Sequence, residues 1–172
     1  VKNIAASPNA PQFGRTFQVG VLAAAVMSIL AQISIWMSIP FFSIELFLGG
    51  LLTSRSNATF TWLLGFVWHL LNGGIFAIIY RAIFRTIGRG GPAVGALLGL
   101  GQWLIVGATL PFFTHTHEFT WSNLGGATFV GTLTLHLCFG AIVGLASPSR
   151  LQVQMPLSDS EFDSSENYQQ AS

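Results

Sequence analysis

The chain has 172 residues, 51% hydrophobic and only 8% charged, where a soluble domain carries about a quarter charged residues. That shortage excludes an ordinary water-soluble domain and points to a lipid-embedded one. The charge balance of +1 hides an asymmetry, because residues 1–150 hold all seven bases but two acids, whereas the last fourteen residues hold the other four acids.

Residues 1–15 (VKNIAASPNAPQFGR) are small, polar and proline-containing, and read as an extended arm. The first apolar run, about 17–39, is long enough to span a bilayer; no convincing small-x-small cleavage site follows it, so it is expected to stay as an anchor. Pro40 closes it. The next ten residues, FFSIELFLGG, carry one acid, Glu45, and are too few to cross a membrane. They predict a short interfacial or re-entrant helix, with Ser43 as its cap. Asn57-Ala58-Thr59 matches a glycosylation sequon, but it abuts the next span and reads as a chance match.

Span two is expected over about 59–80. It continues into Arg81, Arg85 and Arg89, whose spacing of four would put them on one helix face before Gly90-Gly91-Pro92 ends the helix. That stripe predicts contact with lipid headgroups or a partner. Span three, about 92–110, carries Gly95-x-x-x-Gly99 and Gln102 and is expected to stop at Pro111. The loop holding His115, His117 and Glu118 offers three metal-ligand types in close spacing, short of the fourth ligand that a structural zinc site needs, and no metal site is expected. Span four covers about 125–146. Residues 148–172 are acidic and Ser-rich, a composition that cannot bury enough apolar surface to fold alone. Cys138, inside span four, has no partner cysteine in the chain. Placing the N-terminus inside puts Lys2, Arg15, Arg81, Arg85, Arg89 and Arg150 on the cytoplasmic side against Arg55 outside, so both termini are expected to be cytoplasmic.

Spans two and four echo one another. Thr61, Gly65, His69, Gly73 and Ala77 fall opposite Thr128, Thr132, His136, Gly140 and Gly144, and residues 39–42 (IPFF) match residues 110–113 (LPFF). Both copies run in the same direction, which predicts two tandem helical hairpins in a parallel repeat. Small residues at every fourth position let helix backbones approach closely, so Gly65, Gly73, Gly95, Gly99, Gly140 and Gly144 are expected to be packing positions. If spans two and four pack on each other, His69 and His136 meet at equal depth near the bilayer midplane.

Two histidines facing each other from two helices suit axial ligation of a haem, and one alone suits the magnesium of a chlorophyll. The plainer reading is that each bonds a nearby hydroxyl, amide or carbonyl as interhelical glue. Intramembrane ionisable groups also point to transport, and no Asp, Glu, Lys or Arg joins the histidines inside a span. Nothing in the sequence resembles a hydrolase elbow, a nucleotide-binding loop or a paired-carboxylate site, so no enzyme activity is expected.

The alanine-rich first span, the Ile-x-Leu-Phe-Leu-Gly-Gly segment at 44–50 and the His-Leu-x-x-Gly motifs at 69–73 and 136–140 resemble small bacterial four-span integral membrane proteins of uncharacterised function. The resemblance covers residues 16–147 and implies this topology in a bacterial inner or photosynthetic membrane, with no activity attached. The expectation is therefore an all-α membrane protein of four transmembrane helices with a short helix after span one. Its expected role is that of a non-catalytic accessory or assembly subunit in a larger, energy-converting membrane complex. Lipids and other membrane subunits are the expected partners, nucleic acid is not, and no resident cofactor is expected. The alternatives are a haem- or chlorophyll-binding protein using His69 and His136, and a small transporter or channel.

Overall fold

The computed structural model describes residues 10–39, 41–53, 57–114 and 125–147. They form α1 (Ala10–Trp36), α2 (Ile44–Leu52), α3 (Ala58–Ile87), α4 (Pro92–Thr114) and α5 (Gly125–Leu145). All but α2 include a stretch long and apolar enough to cross a bilayer. The fold is inverted relative to a soluble bundle. Leu22, Ile105 and Leu145 are each about two-thirds exposed, at 65%, 66% and 65%, while Ala, Gly, Thr and Ser fill much of the interior. Water would not tolerate that outer surface, and lipid solvates it. The chain is an all-α membrane protein.

The helix ends explain themselves chemically. Ser43 Oγ accepts from the Leu46 amide and Asn57 Oδ1 from the Phe60 amide, so each caps the helix that follows it. Asn57 thus has a structural role that accounts for the first residue of the sequon. Helix α1 begins at Ala10, inside the segment expected to be an arm, because Pro11 suits a first helical turn where no amide is needed. It closes with Ser38 at a φ of 59°, a left-handed C-terminal turn.

Helix α3 ends at Ile87 with left-handed Gly88 as its cap, so Arg89 lies beyond the helix and does not extend the arginine face. Arg81 is used within the chain, its Nη1 donating to Thr16 Oγ1 of α1 at 2.8 Å. Only Arg85 and Arg89 of the three are exposed. Helix α4 runs one turn past the expected stop, through Pro111 to Thr114. A proline near the end of a helix costs one hydrogen bond and leaves the preceding turns intact. The freed group is the carbonyl of Gly107, four residues earlier. The loop with His115, His117 and Glu118, and residues 148–172, lie outside the described residues.

Glycine decides which helices touch. A Cβ on Gly73 would strike Ala24 and the Gly20 carbonyl, and one on Gly20 would strike the Gly73 carbonyl and Ala77. That seam locks α1 antiparallel to α3. Gly95 faces the Gly140 carbonyl, Gly99 the His136 carbonyl and Gly144 the Gly91 carbonyl, which locks α4 to α5 in the same way. Their likeness suggested that the stripes of spans two and four pack on each other, but they pack on the spans before them, α1 and α4. Gly65 meets the Glu45 carbonyl and Gly49 the Thr61 carbonyl, so α2 runs antiparallel along the first two turns of α3.

Helices α1 and α5 join the two pairs. Between α3 and α4, Tyr80 donates to Gln102 Oε1 at 2.6 Å, while its ring meets Phe139 of α5 edge-on at 5.8 Å. Tyr80→Phe keeps the ring and removes the bond. It is expected to cost about 1 kcal/mol, read as a small fall in thermal midpoint in detergent with helix content unchanged.

Candidate functional site

A cavity of about 370 Å³ lies between the two helix pairs, and all five helices line it. Its position follows from the seams. Helix α3 leans on α1 and α2, and α5 on α4, while the Tyr80–Gln102 bond ties α3 to α4. Glu45 comes from α2, Ser28 from α1, His69 and Asn72 from α3, Gln102 from α4 and His136 from α5.

Both histidines line it, each eleven residues into its helix, or about 16 Å along the axis. In a hydrocarbon core about 30 Å thick that is near the middle. They line one cavity, although the small-residue stripes that carry them do not pack on each other. His136 Nδ1 donates to the Thr132 carbonyl at 2.8 Å, which fixes the tautomer and leaves Nε2 as a lone-pair nitrogen. Thr132 also accepts from Trp103 Nε1 at 3.1 Å, so the α4–α5 pair and the His136 ring are tied at one point. His69 Nε2 is buried without a hydrogen-bond partner.

The group that the sequence did not reveal is Glu45. It is 3% exposed, one oxygen accepts from Ser43 Oγ at 3.1 Å, and Oε1 has no partner. It lies within electrostatic reach of His69, yet both of these atoms remain unbonded. Ser28 Oγ is a third buried atom on the same wall without a partner. Unpaired polar atoms in an apolar interior are costly, and three around one space make the cavity a candidate binding site. The remaining surface is mostly carbon, with rings from Phe41, Phe76, Trp68 and Trp103.

Of the predicted packing glycines, Gly65, Gly73, Gly95, Gly99, Gly140 and Gly144 all lie at seams, and Gly73 also borders the cavity. No cluster of three metal-ligand residues occurs among the described residues. The signal that could have revealed Glu45 was the pairing of Gly49 and Gly65, two glycines flanking a short break, which let α2 fold back onto α3 and carry its one acid inward. No family model, curated protein or solved structure matches the chain.

Proposed function

We propose that the chain is a small membrane transporter whose solute site is the cavity between its helix pairs. One observation carries the reading: Glu45 Oε1, His69 Nε2 and Ser28 Oγ are buried without partners on the wall of a single cavity between the apolar helices. Ionisable groups so placed mark solute or ion paths, and an apolar pocket with a few convergent polar atoms is the usual form of a small-molecule site.

The mechanical layout supports it as well. Each helix pair is fused by a glycine seam, and the pairs meet through α1 and α5, so two stiff bodies flank one site. Gly20, Ala24, Gly73 and Ala77 make the first seam and Gly91, Gly95, Gly140 and Gly144 the second. These sets sit at the repeat offsets of 71 and 67 residues, which favours a duplicated hairpin with an axis along the membrane normal. Rocking of such repeats about a central site is a common transport device. The six packing glycines are used inside the chain, so these stripes do not by themselves call for a partner subunit. The bias of Lys and Arg favours cytoplasmic termini.

The haem or chlorophyll alternative draws support from His136, whose Nδ1 bond is the kind that orients metal-bound imidazoles. The described lining residues include no Lys or Arg to hold propionates. Absorption by the purified protein in the Soret or chlorophyll bands would favour that alternative.

The test uses Trp68 and Trp103, which line the cavity and report its occupancy. Titration of the protein in nanodiscs with small cationic, neutral and anionic aromatic solutes is expected to give a saturable fluorescence change with at least one class. Ala31→Phe, which adds a ring on the cavity wall, is expected to abolish it, and the same solute should show counterflow in proteoliposomes. If no class saturates, the cavity is not a solute site.

A further inference from the structure

We infer that the solute is a lipophilic ammonium ion, a protonated amine bearing an apolar or aromatic tail; this rests on the cavity being the solute site. The polar wall is short of positive charge. Glu45 is the one acid on it, with a bare oxygen, and no Lys or Arg lies among the described lining residues. His136 Nε2 offers a lone pair because its other nitrogen already donates to the Thr132 carbonyl. Gly107 is another lining residue, and its carbonyl lacks the helical donor that Pro111 cannot supply. Each of these is an acceptor. An ammonium group supplies up to three N–H donors and the charge that the carboxylate lacks.

The competing classes fit worse. A hard inorganic cation wants six or more close oxygens, and no ligand cluster exists among the described residues. An anion would meet the Glu45 carboxylate with no base to offset it. A neutral solute brings no charged partner to the bare Glu45 oxygen in its apolar surroundings.

The tail is set by the rest of the wall. Trp68, Trp103, Phe41 and Phe76 present rings to the cavity, and a cation among aromatic faces is stabilised by their quadrupoles. The exposed lining residues, Leu51, Trp68 and Thr109, stand on α2, α3 and α4. The cavity thus opens sideways between α3 and α4, where hydrocarbon surrounds the protein. A solute that partitions into the bilayer can enter there, and a strongly hydrated one cannot.

The probes are 2-phenylethylammonium, 2-phenylethanol and 3-phenylpropanoate, which share a ring and differ in head group. Against the full chain in nanodiscs, the amine is expected to give saturable quenching of tryptophan and to bind about tenfold or more tighter than the alcohol. The carboxylate is expected not to saturate. Glu45→Gln, at a thermal midpoint matching the native chain, should bring the amine to the affinity of the alcohol. Should that variant not fold, the charge series on the native chain decides alone.

If the alcohol or the carboxylate binds as tightly as the amine, the ammonium inference is overturned and the cavity stands as a solute site. The same holds if none of the three binds while a different class in the wider panel does. If no class binds, both fall.

Discussion

Gly140→Leu is expected to separate α4 from α5 and to be the most damaging single substitution in the bundle. A Cβ at this position would overlap the Gly95 carbonyl and crowd the Gly99 amide. Backbone atoms of a second helix cannot rotate away as a side chain can, so the whole seam must widen along its length. Overpacking of this kind typically costs about 1–3 kcal/mol, and the upper end is expected here. For a chain of this size that corresponds to a fall in thermal midpoint of about 6–12 °C. Gly101→Leu is the control, since nothing lies within 4 Å of a Cβ there, and lipid accepts the added side chain. Thermal denaturation in detergent, followed by size exclusion, reads both. Equal midpoints for the two variants would mean that α4 and α5 do not touch through Gly95 and Gly140.

Gly65→Ala should act locally and on function. Its Cβ would overlap the Glu45 carbonyl and the Gly49 amide, so the methyl group pushes α2 away from α3 while the glycine seams of the two helix pairs stay closed. The expected result is a rise in amide exchange across residues 44–52 of about tenfold or more, with α1, α4 and α5 unchanged. Solute binding should be lost too, although Gly65 does not line the cavity, because the displaced helix takes the Glu45 carboxyl with it. Hydrogen exchange followed by mass spectrometry distinguishes this from general unfolding. Protection of α2 at the native level would show that its docking does not depend on close approach at Gly65.

Much of this fold was legible in the chain. Apolar run lengths placed the four spans, Ser43 was read as a cap, and the glycines at every fourth position were read as packing sites. The partner of each stripe was not legible from the stripe. Periodicity says which face of a helix is small, not which neighbour fills it, and the likeness of spans two and four suggested that they face each other. The offset of 71 residues held the answer, since it pairs Gly20 with Gly91 and Ala24 with Gly95, and so puts an equivalent small face on the helix preceding each histidine. Pro111 misled for a different reason: proline was read as a stop, but near a helix end it removes one bond and the last turn survives.

Glu45 escaped because its surroundings were judged by sequence neighbours. A single acid in a ten-residue apolar stretch, too short to span, was read only as part of a short interfacial or re-entrant helix. Its burial depends on residues 61 and 65, across the break, and on the absence of side-chain bulk there. The two histidines were found at once because they lie in the middle of long apolar runs, yet the carboxyl that shares their cavity comes from outside a span.

The nine residues of α2 bear on how the protein is made. A segment that short, with an acid in its first turn, cannot be recognised and released into the bilayer as a spanning helix in its own right. The groove that receives it is formed by Thr61 and Gly65, which emerge later in the chain, so α2 must wait at the membrane surface until α3 stands beside α1. The Glu45 carboxyl is therefore expected to leave water only once α3 is in place. A partly synthesised chain ending before α3 would hold every residue of α2 and have nowhere to put it.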